Sequence, residues 1–501
     1  MKTYNTYIYV AAMLLSFTLI GCNKWLDVKS ETEAKEEDIF SKKSGFCSVL
    51  TGIYMNLAET DAYGERLTMA DVEELANLWY CTGFDNNPGY YYLRKHEYTN
   101  DYCKENVKAI YASLFNTITQ TNVLLKNIEE KGTGVLSSQP QLRHVIQGEA
   151  YAIRALCQFD VLRLFGQLPQ ALGHQQVSLP YSSTTTITDI PHYYSYDEYV
   201  SRLMADIDAA LANLKDYDPA CKYSLAELNS ASSITLDDDY LYYRRQRLNY
   251  WAVKALRARI NLYLGNTKEA HDEALEVIDA KTDEGTSVCT LNAEADLTNS
   301  YFTLPSESLF SLSKYNVFSY SNSLLIGKGS TQVKPNIHLV LSQSMMTDLF
   351  RGTAVASNNR YLKLWNRQCT SSDGTVYAAL CKYYYDTTSG SASSIYQSLI
   401  PMIRLSEMYL IAMEPTPDLA EANALYVTYM RDHNTLIESD QFASLADVQA
   451  EVVNEYRREF IGEGQMFYTY KRLFTKSMLW ADSEMSESDY IIPLPDSEYE
   501  N

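Results

Sequence analysis

The sequence lacks the patterns that mark common catalytic and metal sites. Its seven histidines are scattered, and it contains no H-E-x-x-H, no G-x-S-x-G and no Cys–His signature. None of its nine cysteines forms a C-x-x-C pair or a zinc-ligand spacing. The acidic triplet Asp237-Asp238-Asp239 has no fixed spacing of further ligands, which favours a solvated loop over a calcium site. We therefore expect no enzymatic activity, no cofactor and no metal. A glycosidase pair of carboxylates, however, is defined by the distance between the two groups in the fold, so it has no sequence motif to search for.

Positive charge is also scarce. The 501 residues include 42 Lys and Arg against 63 Asp and Glu, a net charge of −21. Such a chain repels polyanions, so we expect no nucleic-acid partner. Tyrosine is abundant instead, with 42 residues against 15 Phe and 5 Trp. Its apolar face and polar tip suit wet surfaces and sugar-like ligands, although we expect most tyrosines to pack between helices.

The first residues have the pattern of an export signal. An apolar run over residues 8–20 is too short to span a membrane comfortably, and it ends in Leu19-Ile20-Gly21-Cys22, which resembles a bacterial lipobox. We expect residues 1–21 to be a cleaved signal peptide and Cys22 to carry lipid. Residues 22–38 then form a charged tether. No later segment resembles a transmembrane helix, so the pattern predicts an anchored, exported and otherwise soluble protein.

A helical hairpin is predicted over residues 245–280. Trp251, Ala255, Ala258 and Leu262 recur at helical spacing, and Gly265 supplies the stop before a second amphipathic helix. Small residues on facing stripes let two helices approach closely, as in a tetratricopeptide (TPR) repeat. One such hairpin cannot bury its own apolar face, so others must stack on it. The expected fold is mainly α, with TPR-like helical hairpin repeats, long irregular loops and a few short strands.

Other segments with helical or strand periodicity surround this hairpin. Further helices are predicted over residues 46–57, 107–128, 141–164 and 196–214, and a short strand over 307–312. Long loops are predicted over residues 173–195, 216–243, 281–342 and 352–399. Cys47 and Cys157 fall in apolar helical patterns and are expected to be buried thiols. Export would permit disulfides among the other cysteines, but the sequence does not show which of them would pair.

Six motifs resemble the SusD/RagB family of outer-membrane nutrient-binding lipoproteins, and the resemblance implies helices over residues 401–414 and 420–433. The motifs are Cys22-Asn23-Lys24-Trp25-Leu26-Asp27; Gly52-Ile53-Tyr54; the stretch 148–169; Pro401-x-x-Arg404-x-x-Glu407-x-Tyr409-Leu410; and Glu459-Phe460-x-Gly462-Glu463-Gly464 with the closing Pro493-x-Pro495-x-x-Glu498. Met466 and Thr469-Tyr470 stand where the family usually has Arg and Asp-Leu. The resemblance covers essentially the whole mature chain.

The resemblance implies both a fold and a role. It implies a single SusD-like body over residues 39–501, with an N-terminal part to about 243 and a C-terminal part from about 244. It implies a lipoprotein anchored in the outer membrane and facing the cell exterior, which binds an oligosaccharide and delivers it to a SusC-like TonB-dependent transporter. The alternatives are a peptide-binding uptake lipoprotein, a glycan-cleaving enzyme and a repeat scaffold with no small ligand.

The first long loop supplies the candidate ligand site. Its Asn-Pro-Gly turn brings aromatic rings near side-chain amides, an arrangement typical of glycan sites, although the same aromatics would equally serve to pack the loop onto the body. The candidates are Trp79, Tyr80, Asn86, Asn87, Tyr90, Tyr91 and Tyr92, with Tyr315, Tyr320 and Trp365 from later insertions as weaker ones.

Three glutamates of the C-terminal motifs are candidates for acid–base chemistry. We expect Glu407, Glu459 and Glu463 to be buried structural partners of arginines rather than catalytic groups. The arginines expected to pair with them are Arg404, Arg457 and Arg458.

Overall fold

A computed structural model describes residues 31–81, 83, 87–186, 190–385 and 395–499, except for the side chains of residues 31–34 and Tyr320. The proposed signal peptide and Cys22 lie outside the described residues. Among the residues described, no helix is both long and apolar enough to cross a membrane.

The described chain is mainly helical, which confirms the predicted fold class. The long helices fall where apolar residues recur at helical spacing. In chain order the helices are α1 Glu31–Ile39, α2 Lys43–Leu57, α3 Asp71–Leu75, α4 Pro88–Arg94, α5 Asp101–Glu130, α6 Gly132–Val135, α7 Pro140–Phe165, α8 Tyr196–Leu214, α9 Tyr250–Leu264, α10 Thr267–Ile278, α11 Ala293–Thr298, α12 Val317–Leu324, α13 Gln343–Leu349, α14 Asn359–Lys363, α15 Leu405–Met413, α16 Leu419–Asp432, α17 Leu445–Phe460 and α18 Met466–Leu473.

The helices stack on one another in chain order, as hairpin repeats do. Helix α7 packs on both α5 and α8, α9 packs on α10, and α15 packs on α10, α16 and α17. Between α9 and α10, Gly265 adopts φ +86°, a left-handed conformation that costs glycine little. The predicted hairpin over residues 245–280 is therefore present, and its neighbours cover its apolar faces.

Three small antiparallel sheets lie between the helices. Strand β1 Leu179–Pro180 pairs with β2 Tyr193–Tyr194, and β3 Ser308–Ser313 pairs with β7 Leu399–Arg404. The third sheet has the order β4 Val340–Ser342, β6 Val376–Leu380, β5 Trp365–Thr370. Short 3₁₀ turns, including Arg244–Gln246, Pro305–Glu307 and Ile395–Ser398, connect these elements.

The helix predicted over residues 401–414 is wrong in its first turn. Residues up to Arg404 belong to strand β7, and helix α15 begins at Leu405. Every residue of β7 is buried. A fully buried strand is a continuous apolar run without alternation, so its periodicity does not distinguish it from the start of a buried helix.

The acidic triplet is solvated in part: Asp237 and Asp239 are exposed, as the sequence predicts, whereas Asp238 is buried. The Asp238 carboxylate is buried and forms an ion pair with Lys43 of α2. It also accepts hydrogen bonds from the Gln139 amide at 2.8 Å and from the backbone N–H of Tyr240. Asp238 therefore ties this loop to the helices, because a buried carboxylate needs partners.

The eight cysteines after Cys22 are all free thiols. Cys157 is buried, as predicted, whereas Cys47 is only partly buried. Burial raises the pKa of the Cys47 thiol to about 11 and that of Cys103 to about 12, so both are protonated near neutral pH.

One core cluster runs through both halves of the chain, from Phe40 to Ile492. The boundary near residue 243 stays a prediction. A buried lysine also joins the halves: the Lys471 ammonium of α18 donates to the carbonyls of Arg163 (2.8 Å), Leu164 (3.4 Å) and Gly166 (2.7 Å) at the end of α7. It caps the carbonyl end of that helix, where a cation is favoured.

Candidate functional site

Two of the predicted ligand-binding aromatics belong to the core. Trp79 is fully buried, and its indole N–H donates to the Met69 carbonyl at 2.9 Å. Trp365 is also buried, on strand β5. Neither ring can stack on a ligand without the protein opening. A sequence pattern that predicts a turn does not determine whether a neighbouring aromatic ring packs into the core or faces solvent, and both rings here pack into the core.

Two predicted tyrosines also point inward. Tyr90 is buried, and its hydroxyl donates to the Glu65 carboxylate at 3.3 Å. Tyr80 is half-buried, with its ring centroid 5.3 Å from that of the buried Tyr377. These contacts explain how the loop is held on the body.

Tyr91 and Tyr92 form a half-exposed group with Tyr102, which we call the tyrosine patch. The Tyr91 and Tyr92 ring centroids are 5.3 Å apart, and Tyr92 stacks parallel to Tyr102 at 6.4 Å. Tyr102 is 54% exposed, so the patch is accessible. Asn87 caps helix α4 by accepting from the Gly89 N–H at 3.0 Å, which gives this residue a structural role.

The remaining candidates are scattered. Asn86 lies outside the described residues, and Tyr320 lies in α12 with its side chain not described. Tyr315 is 83% exposed, just before α12. None of the sequence-predicted residues lines the cavity described next.

That cavity has a volume of about 530 Å³ and is lined by four segments of the chain, including residues 224–227. We call it the Arg245 cavity. The 3₁₀ turn Arg244–Gln246, the loop around α11 and the turn Ile395–Ser398 each contribute to its wall. Its lining includes Glu227, Arg245, Thr286, Thr290, Asn292, Asp296, Asn299, Tyr301, Ser306 and Tyr396. The size suits a ligand of one or a few sugar units.

Arg245 is the unusual member of this lining. Its side chain belongs to a residue only 4% exposed, and its Nε has no hydrogen-bond partner. Among the described residues, no side chain or carbonyl forms a hydrogen bond or an ion pair with its guanidinium. Burying a charged group without a partner costs several kcal/mol, so such groups are rare in a folded core.

The nearest acidic group is already engaged elsewhere. Both Asp296 carboxylate oxygens accept hydrogen bonds from Ser306, one from its N–H and one from its hydroxyl, each at 2.8 Å. Burial raises the pKa of Asp296, and the positive charge of Arg245 opposes that rise. Asp296 thus lies near Arg245 without pairing with it.

Two tyrosine rings complete the wall. The Tyr301 and Tyr396 ring centroids are 5.2 Å apart, with the rings tilted by 54°. The Tyr396 hydroxyl accepts from the Asn229 amide at 2.9 Å, which holds that ring in place. Both tyrosines are half-exposed. Rings with nearby amides and hydroxyls can bind a polyhydroxylated ligand through C–H faces and hydrogen bonds.

Sequence reasoning missed these three residues for a physical reason. Arg245, Tyr301 and Tyr396 come from three segments far apart in sequence, none with a motif. The only local signal is the Arg244-Arg245 pair at the start of the central hairpin, and burial of both was not readable from periodicity.

The predicted acid–base candidates are buried in ion pairs. Arg404 contacts Glu459 at 2.6 Å and Glu463 at 2.8 Å, which confirms those two pairings. Burial alone would raise the pKa of Glu459, but Arg404, His433 and Arg360 hold it well below its ordinary value. A carboxylate so held is a poor general acid.

Glu407, Arg457 and Arg458 form contacts other than the pairings expected from the sequence. Glu407 pairs with Arg259 of α9 rather than with an arginine of its own motif. Arg458 pairs with Glu455 and Glu451, and Arg457 donates to the Tyr470 hydroxyl at 2.9 and 3.1 Å. Tyr470 is one of the residues that replace the usual charges after the Glu-Gly motif, and it gives Arg457 a neutral acceptor.

Solved structures share this fold. A SusD superfamily protein from Bacteroides thetaiotaomicron is 21% identical, with a TM-score of 0.66 over 91% of this chain and 97% of that one. A putative sugar-binding protein from Bacteroides vulgatus is 19% identical, with a TM-score of 0.67 over 91% and 96%. A laminarin-binding SusD-like protein is 14% identical, with a TM-score of 0.60 over 92% and 97%.

No protein-family model matches the sequence, and neither does any curated protein. The chain has the SusD-like fold, as its motifs predicted.

Proposed function

We propose that this protein binds an oligosaccharide at the Arg245 cavity and passes it to a membrane transporter. The observation that carries the proposal is a cavity of about 530 Å³, walled by two tyrosine rings, in a SusD-like fold. Solved neighbours with this fold are described as sugar- or carbohydrate-binding. Rings held by the fold lose little conformational entropy on stacking, so each contributes about 1 kcal/mol to binding.

The location and partner are also part of the proposal. Cys22 is the proposed lipid attachment point, and residues 22–38 are the proposed tether, the last part of which lies in helix α1. The transporter proposed is a SusC-like TonB-dependent one, with the stacked helices as its docking surface. The paired state of Glu459 and Glu463 supports a binding role without catalysis.

Glycan binding is tested with two double variants. We expect Tyr301→Ala/Tyr396→Ala to abolish the retardation of the protein in polysaccharide-containing native gels. Tyr91→Ala/Tyr92→Ala tests the tyrosine patch in the same gels, and Tyr499→Ala, 68% exposed outside the cavity, is the matched control.

Three results of that assay would decide between sites and roles. Loss of retardation only in the Tyr91/Tyr92 variant would move the site to the patch. Retardation by no glycan would count against the function itself. Release of shortened glycans by the wild-type protein would point to an enzyme.

The anchor is tested separately. We expect Cys22→Ser to move the protein from the membrane fraction to the soluble fraction with an unchanged circular dichroism spectrum. Lipid attachment requires a thiol, so a variant that stayed in the membrane fraction would refute the lipobox interpretation.

A further inference from the structure

The Arg245 guanidinium is a hydrogen-bond donor group that the protein itself leaves unused. It has five N–H donors in a planar fork, and no described residue pairs with them. The group lines the cavity, so a ligand in the cavity reaches it. We propose that the Arg245 cavity binds a carboxylate-bearing sugar residue, with the Arg245 guanidinium clamping the carboxylate.

A carboxylate is the best complement to this group. The guanidinium fork matches the two oxygens of a carboxylate in a bidentate pair, which is shorter and stronger than a pair of neutral hydrogen bonds. A sugar hydroxyl would satisfy one N–H and leave the charge uncompensated. A carboxylate satisfies two N–H groups and supplies the missing counter-charge.

The acidic side chains of the cavity wall, Asp296 and Glu227, favour a ligand with a single negative charge. Asp296 is close enough to interact with Arg245, and Glu227 accepts hydrogen bonds from the Ser224 N–H at 2.8 Å and hydroxyl at 2.6 Å. Two negative side chains repel a phosphate or sulfate dianion more strongly than a monoanionic carboxylate. The cavity is also much larger than an inorganic anion.

The rest of the lining suits a sugar ring. Tyr301 and Tyr396 present half-exposed aromatic surface, and Asn292, Thr286 and Thr290 supply polar groups for hydroxyls. A sugar acid, such as a uronic acid, combines a carboxylate with a ring of C–H and hydroxyl groups. This part of the inference rests on the proposed glycan-binding function.

The test compares acids with their neutral esters. Binding of galacturonic acid and of a xylotriose bearing one glucuronic acid is measured by calorimetry, each against its methyl ester. The members of each pair differ in the charge and acceptor geometry of one carboxyl group and in one methyl group. We expect at least one acid to bind the wild type roughly ten-fold or more tightly than its ester.

Variants assign the effect to Arg245. We expect Arg245→Gln to remove the preference for the acid, because it weakens binding of the acid far more than binding of the ester. Arg245→Lys keeps the charge without the fork, and we expect it to restore only part of the preference. Arg351→Gln is the matched control, since its side chain is 77% exposed on another surface, and it should bind as the wild type does.

A structural role for Arg245 predicts a different result. No hydrogen bond is lost in Arg245→Gln, so we expect its melting temperature to stay at or above that of the wild type. A variant that unfolds would show that the guanidinium supports the fold and would overturn the proposal.

Other outcomes separate this inference from the function it rests on. Equal affinity for acid and ester, or wild-type binding by Arg245→Gln, would overturn it. So would equal competition by inorganic phosphate, which indicates a general anion site, or Arg245-dependent binding of a short peptide through its C-terminal carboxylate. If both acids fail to bind while neutral glycans still require Tyr301 and Tyr396, this inference fails and the proposed function stands.

Discussion

Arg244 and Arg245 are consecutive residues of one 3₁₀ turn, and both are buried, yet their surroundings are opposite. Arg244 donates from Nε and Nη2 to the two Asp218 oxygens at 2.9 and 2.8 Å, and it also pairs with Glu149. Arg245 has no partner among the described residues. The protein therefore satisfies one arginine internally and leaves the next for something else.

The same contrast appears at larger scale between the Arg245 cavity and the C-terminal motifs. Arg404 pairs with Glu307, Glu459 and Glu463, and Arg360 pairs with Glu455 and Glu459. Both of these arginines have acidic partners, whereas Arg457 of the same motifs contacts the neutral Tyr470 hydroxyl. Paired buried charges hold the helices in one arrangement, whereas an unpaired one at a cavity wall indicates a ligand. Partners, more than burial, distinguish the two roles.

The largest effect is expected where one carboxylate serves two arginines. Glu459→Gln removes a carboxylate that two buried arginines share, although Arg404 keeps Glu307 and Glu463 and Arg360 keeps Glu455. We expect the change to lower the free energy of unfolding by about 4 kcal/mol. Urea denaturation measures the change. A loss below about 1 kcal/mol would show that the cluster is not what holds this region. We expect no glycan-cleaving activity to disappear in the variant.

The next largest change in stability is expected when Arg244 and Arg245, in the same 3₁₀ turn, are replaced in turn. Arg244→Gln leaves the buried Asp218 carboxylate without its cation, while Glu149 keeps Arg247, so we expect a loss of about 3 kcal/mol. Arg245→Gln strands nothing, so the change expected is within about 0.5 kcal/mol or a gain. Both are measured by urea denaturation under the same conditions. Equal losses in the two variants would remove the contrast on which the cavity's role depends.

The buried Glu73 carboxyl, which has no cationic partner described above, adds a test based on the pH dependence of stability. Burial raises the pKa of Glu73 to about 8, and its carboxyl accepts from the Gly462 and Gly464 N–H groups at 2.9 and 2.8 Å. The folded state therefore holds this proton between pH 4.5 and 8, where the unfolded chain has lost it. Stability then falls as pH rises, by up to about 1.4 kcal/mol per unit from this group.

Replacing that carboxyl removes its titration. We expect Glu73→Gln, which keeps an acceptor for the two N–H groups, to show a flatter stability curve than the wild type between pH 5 and 8. Urea denaturation at each pH measures both curves. Parallel curves would mean that Glu73 does not titrate in this range.

The periodic parts of the chain were predictable, and the site was not. The helix over 196–214 and the central hairpin follow from apolar spacing, and Gly265 supplies the stop in the conformation its position requires. Strand β7 was missed because a fully buried strand has no alternation to read. Trp79 was predicted to contact a ligand but is buried, because a sequence pattern for a turn does not determine the direction in which a nearby ring points.

Tertiary packing creates the Arg245 cavity, which explains why its residues carried no pattern. Tyr301 and Tyr396 are far apart in sequence and come close through tertiary contacts, such as the hydrogen bond from the Thr303 hydroxyl to the Tyr396 carbonyl at 3.4 Å. By contrast, the Glu-Phe-x-Gly-Glu-Gly motif was readable. Gly464 needs a positive φ of +72°, and a Cβ there would lie 2.1 Å from the Leu67 carbonyl oxygen.

The buried Lys471 has a consequence for the time course of folding. The carbonyls that it caps at the end of α7 precede it by as many as 308 residues. The end of α7 is capped only when Lys471 is available, so the N-terminal half reaches its final packing only when nearly the whole chain is present. Contacts this distant in sequence slow folding, which leaves a long period in which a chaperone can bind the incomplete chain.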